Sequence, residues 1–295
     1  MLYRWSMDRR SSLSAWAAGA AIATSVVALY ASVFIDLAGI WFGNDNYSHG
    51  PLMVPVAAYM VWTRRWQLAA ATIRPSNAGL ALTGASLLLL LIGTAAVEFF
   101  LMRVSALGVI AGILLFVAGW QWLRLLLWPL GVLALAIPIP PVIFYQVAFP
   151  LQLLASKFGV VALQLMQIPV FREGNVITLT HTTLEVTEAC SGIRSIVSLF
   201  ALGVLYGYFN DGRPGAVAAT ALASIPIAIV ANGCRIAGTG IAAHFVGPAA
   251  ATGFTHSFSG WVVFMTSVGL LILVGQGLKV GSSLSLGPAR EAACS

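Results

Sequence analysis

An all-α polytopic membrane protein is the fold class this sequence predicts, and three observations carry it. Of its 295 residues 59% are hydrophobic and only 8% charged, where soluble domains carry about 25% charged residues. Several almost uncharged runs approach the roughly 20 residues a helix needs to cross a bilayer. Between them lie short polar stretches, so the lipid is crossed by helices whose backbones pair internally. The expected architecture is a single integral membrane domain, 1–295, with about eight transmembrane helices. A small extracytoplasmic hairpin and an interfacial or re-entrant segment complete it.

The elements follow in order. Arg4, Arg9 and Arg10 precede the uncharged run Ser11–Ile35, which is too long for a signal-peptide core and reads as a retained first span. After the polar stretch Gly43–Gly50 comes a short second span, about Ser48–Thr63, stopped by Arg64 and Arg65. Ser76–Val97 is the third span, Glu98–Arg103 a tight connection and Val104–Leu123 the fourth. The fifth, Leu125 to about Pro140, ends in the helix-breaking I-P-I-P-P.

Val142–Ile168 is apolar but interrupted by Gln146, Pro150, Gln152, Lys157, Gln164 and Gln167, the pattern expected of an interfacial or re-entrant segment. Two β-rich runs, Val176–Leu179 and Leu184–Thr187, flank T-H-T-T and predict the hairpin. Spans six, seven and eight are placed at about Cys190–Tyr208, Gly215–Cys234 and Phe258–Gly277. A Gly-rich segment joins the last two.

The net charge of +6 does not point to nucleic acid, because the basic residues are scattered between apolar spans. Orientation explains them better. With the N-terminus in the cytoplasm, ten basic residues fall inside and five fall outside or at the outer mouth, as the positive-inside rule asks. This count holds only if Val142–Ile168 does not cross. Of the three cysteines, Cys190 and Cys234 would pair only if the fold brought them together, and Cys294 lies in the polar tail.

Most of the chain is chemically quiet, with one exception. L-E-V-T-E-A-C-S-G-I-R-S, Leu184–Ser195, ends a strand-like run and opens a hydrophobic span. A thiol at a helix start meets unpaired N–H groups and the positive helix pole, which favour thiolate. In this topology Cys190, Arg235 and His256 reach one face although they are far apart in sequence. Imidazole can take a thiol proton and return it to a leaving amine. Guanidinium can hold a thiolate or an oxyanion.

Each has a blander alternative. The cysteine packs, Arg235 anchors at headgroups, Asn232 bonds between helices, and Glu185 and Glu188 face solvent. Arg194, four residues after Cys190, is the rival arginine and a candidate substrate or carboxylate partner. His244, His181 and His49 compete with His256.

Beyond single residues, ordered motifs resemble the exosortase family of bacterial membrane cysteine peptidases and transpeptidases. They are Y-S-H-G-P-L at Tyr47–Leu52, I-P-x-P-P at Ile137–Pro141 and P-L-Q-L-L-A at Pro150–Ala155. P-V-x-R-E-G-N-x-I at Pro169–Ile177 and L-E-V-x-x-A-C-S-G-I-R-S follow, then N-x-x-R-I at Asn232–Ile236 and H-x-x-x-G at His256–Gly260. The resemblance covers about residues 40–275.

It implies catalytic Cys190, Arg235 and His256, with Arg194, Glu188, Arg172 and Asn232 as candidate substrate-binding residues and no metal or organic cofactor. The implied substrates are exported proteins with a C-terminal Pro-Glu-Pro-type signal, a hydrophobic helix and a basic tail. Cleavage at the periplasmic face of the bacterial inner membrane, transfer to a surface acceptor and a link to exopolysaccharide machinery are implied too. Membrane lipids are the remaining partner, and nucleic acid is not one. The alternative from another class is a transporter or scaffold of exopolysaccharide export, in which Cys190 merely packs.

Overall fold

The computed structural model describes residues 17, 19–180, 183–186, 192–247 and 253–291, with side chains omitted for 253–257 and 281–291. Six of the described helices are long and apolar enough to cross a membrane, or seven when one bent pair counts as a span. The chain divides into two compact units. Residues 1–44 and 50–137 form the first, and 45–49 with 138–295 form the second.

In the first unit, α1 (Gly19–Leu29) and α2 (Ala31–Gly43) meet at 61°. Tyr30 sits at the bend, fully buried, with its hydroxyl 3.0 Å from Ser105 Oγ. Because Ser105 Oγ donates its own hydrogen to Met102 O (2.7 Å), Tyr30 is the donor. In place of a straight first span, a bent helix pair thus runs past Ile35 to Gly43. The second expected span is only α3 (Gly50–Thr63), 14 residues. At 1.5 Å per residue that is about 21 Å, short of the bilayer core. A six-residue α4 (Arg65–Ala70) follows.

Helices α5 (Ala78–Ala95) and α6 (Phe99–Val117) are the third and fourth spans. The expected connection Glu98–Arg103 shrinks, because Glu98 is the N-cap of α6 and its Oε2 accepts from the N–H groups of Phe100 (3.0 Å) and Leu101 (3.2 Å). Arg103 is therefore a buried residue inside α6, its guanidinium 5.6 Å from the Phe99 ring. The fourth span ends at Val117 rather than Leu123. Gly119 adopts φ +89, and α7 (Trp120–Leu135) starts directly after it.

In the second unit, α8 (Pro141–Leu165) is one continuous 25-residue helix. Its polar residues do not interrupt it, and by length and composition it is one of the helices that can cross a membrane.

The hairpin is a three-stranded antiparallel sheet: β1 (Val170–Glu173), β2 (Val176–Leu179) and β3 (Thr183–Glu185). The register pairs Glu173 with Val176, leaving Gly174–Asn175 as a two-residue turn. Gly174 has φ +61, as the first central position of a type II′ turn requires. Asn175 Nδ2 donates to Val186 O (3.1 Å). Ile177, Leu179 and Val186 pack the sheet against Ala155 and Leu163 of α8.

Helices α9 (Ile193–Asn210), α10 (Pro214–Phe245) and α11 (Gly253–Glu291) complete the unit. Tyr206 Oη donates to Ile272 O (3.3 Å) and Asn210 Nδ2 to Gly275 O (3.2 Å), which ties the end of α9 to α11. Helix α10 runs eleven residues beyond Cys234, the expected end of span seven. Helix α10 runs on because Ile236, Gly240 and Ala243 keep helical spacing and are buried. Ile236 and Ala243 share the core under the sheet.

Candidate active site

The starts of α9 and α11 and the interior of α10 assemble the site. Helix α9 begins at Ile193 with Gly192 as its N-cap, left-handed at φ +82. Its first intrahelical bond runs from Ile196 N–H to Gly192 O (2.9 Å), so the N–H groups before it point out of the positive helix end. A side chain at 192 would also collide with α10, because a Cβ there would stand 2.9 Å from Asn232 Cγ. Glycine is demanded twice over.

Asn232 is buried, and Arg235, half-buried, follows it by three residues on the same face of α10. Arg235 Nη1 lies 3.3 Å from where a Cβ on Gly260 of α11 would sit. Position 256 is four residues earlier, in the first turn of α11. Counted from Pro214, Arg235 stands 21 residues along α10, about 32 Å, which matches the bilayer core.

The expected site residues divide accordingly. Asn232 and Arg235 come together with Gly192 and Gly260. His256 belongs to α11, with its side chain outside the described residues. Cys190 and Glu188 lie outside them altogether. Arg172 Nη1 donates to Gly174 O (2.7 Å) and to Ser156 Oγ (3.3 Å), binding the β1–β2 turn to α8. Cys234 is a free, exposed thiol. It borders an apolar groove of about 460 Å³ between α10 and α11 that continues past Ala231, Val230 and Leu270.

Arg194 is held by residues that the sequence did not nominate. Its Nη1 is 3.2 Å from Asp45 Oδ2, and its Nε donates to Asn46 Oδ1 (3.3 Å). Both partners lie on a 3₁₀ turn, Asp45–Tyr47, whose Tyr47 Oη donates to Ile139 O (3.4 Å). The signal was present in the polar run G-N-D-N-Y-S-H-G, but nothing local says that it faces α9. The left-handed Gly192 also interrupts any helical i, i+4 relation between positions 190 and 194.

Residues 41–273 match the transmembrane exosortase family over most of the chain's length. The chain belongs to that family. No curated protein and no solved structure matches it. For an exosortase-family member, the glycines of A-C-S-G and H-x-x-x-G and the asparagine of N-x-x-R acquire a physical role. They are the contacts by which three separated motifs touch.

Proposed function

We propose that this exosortase-family protein is a membrane-embedded cysteine peptidase or transpeptidase at the periplasmic face of the bacterial inner membrane. Its substrates are exported proteins with a C-terminal Pro-Glu-Pro-type signal followed by a hydrophobic helix. One observation carries the reading: Gly192 against Asn232 and Arg235 against Gly260 join the three motifs that hold Cys190, Arg235 and His256. Cys190 stands two residues before Gly192 in the sequence.

Thiolate chemistry follows. Cys190 Sγ attacks the scissile carbonyl, and Arg235 with the N–H groups at the α9 terminus holds the oxyanion. His256 protonates the departing amine as the C–N bond breaks, leaving a thioester on Cys190. An amine from a surface acceptor, or water, then attacks the thioester and returns the thiolate. Asn232, Glu188, Arg172 and Arg194 serve the substrate around this centre.

The test co-expresses the protein with a reporter bearing such a C-terminal signal and follows reporter mass at matched membrane levels. Wild type shortens the reporter, whereas Cys190→Ala, Arg235→Ala and His256→Ala leave it intact. Cleavage by Cys190→Ala at the wild-type rate would overturn the mechanism.

A further inference from the structure

We propose that Arg194 is the subsite for the carboxylate of an acidic peptide, and that Asp45 is a built-in competitor occupying it in the empty protein. The inference deepens the function proposed above and rests on it for the identity of the peptide.

Two of the three guanidinium nitrogens of Arg194 are engaged, Nη1 by Asp45 and Nε by Asn46. Among the described residues Nη2 has no partner. The side chain is 41% exposed and that of Asp45 is 78% exposed, so water and a ligand can reach both. Asn46, by contrast, is buried and keeps the guanidinium in place whether or not Asp45 is attached.

A fixed guanidinium with an open edge and an exposed carboxylate on its end matches the fork geometry by which arginine binds carboxylates. An ion pair this exposed is weak, so an incoming carboxylate displaces Asp45 at little cost. The location suits the role, because Arg194 lies in the first turn of α9, two residues beyond Gly192.

The experiment measures binding rather than cleavage, so that it stands apart from the peptidase reading. Full-length protein in nanodiscs is titrated with two peptides identical except for Pro-Glu-Pro or Pro-Gln-Pro at the centre. Wild type is expected to prefer the glutamate peptide, and 0.5 M salt to shrink that preference.

Arg194→Ala should weaken the glutamate peptide about tenfold and leave the glutamine peptide unchanged, the size expected of a charge-assisted hydrogen bond. Asp45→Asn should act in the opposite direction, tightening the glutamate peptide by roughly two- to fivefold. Opposite signs separate a competitor from a structural brace, whose loss on either side would weaken binding. Equal binding of the two peptides, equal losses with Arg194→Ala, a loss with Asp45→Asn, or no binding at all would overturn the inference. Reporter cleavage in the same membranes reports separately on the peptidase reading.

Discussion

The two ends of the α9–α11 bundle are built from the same three helices but hold their arginines differently. At one end the turn between α9 and α10 closes on itself. Arg213 Nε and Nη2 both reach the Asp211 carboxylate at 2.6 Å, Gly212 turns the chain at φ +75, and Asn210 and Tyr206 clip α9 to α11. At the other end Gly192 also turns left-handed, but Arg194 takes its carboxylate from Asp45, far away in sequence, rather than from its own turn. A left-handed glycine and an arginine are thus common to both ends. What distinguishes the site is that its glycine touches another helix and its arginine lies against a glycine gap.

The comparison breaks most easily by removing the matched arginines. Arg235→Ala should lower reporter processing by at least about 100-fold, the scale of a lost oxyanion donor. Arg213→Ala should leave it within twofold. Equal losses would mean that both arginines serve folding alone.

The matched glycines give the next largest effect. Alanine at either left-handed position costs about 1–3 kcal/mol of backbone strain, visible as a lower melting temperature in detergent. Processing per folded molecule should fall about tenfold only for Gly192→Ala, where the new Cβ pushes on Asn232.

Gly260→Ala sharpens the point at smaller cost. Alanine favours a helix over glycine by up to about 1 kcal/mol, so the melting temperature should hold or rise. Processing should nevertheless fall severalfold as Arg235 is displaced. A stabilised and fully active variant would remove the contact from the argument.

Smallest is the acid response of the closed end. Hydrogen bonds from Arg213 hold the Asp211 carboxyl below the usual carboxylate range, with Lys279 adding a lesser pull. A lowered folded-state pKa contributes stability above the ordinary carboxylate pKa and loses it as pH falls through the lowered value. Melting curves of wild type and Asp211→Asn should therefore differ at pH 7 and converge at low pH.

How much of this was legible beforehand follows from what each signal measures. Hydropathy found the helical membrane fold, the α5 span and the strand Val176–Leu179, because those depend on composition and period. It did not show that helix α10 continues past Cys234, since a Gly-rich stretch looks like a loop until burial of Ile236, Gly240 and Ala243 shows a helix face. The break at Gly119 was missed because its neighbours are all apolar. Strand β1 was missed although V-F-R-E-G-N alternates and carries a turn glycine. At the site, Asn232 and Arg235 were nominated from sequence. Asp45 and Asn46 were not, because a polar run between two helices gives no hint of a partner 149 positions away at Arg194.

The unbroken length of α10 has a mechanical consequence. From Pro214 to Arg235 the helix is a rod of about 32 Å, and its remaining turns carry the sheet core through Ile236 and Ala243. The guanidinium and the sheet are therefore gauged from a common baseline, the start of α10 at Pro214. For the proposed peptidase such a rod would be a ruler: a substrate helix would present to it whichever peptide bond stands at that height. Thickening the bilayer, or adding a turn to the passing helix, moves the mark by counted residues rather than by degrees of fit.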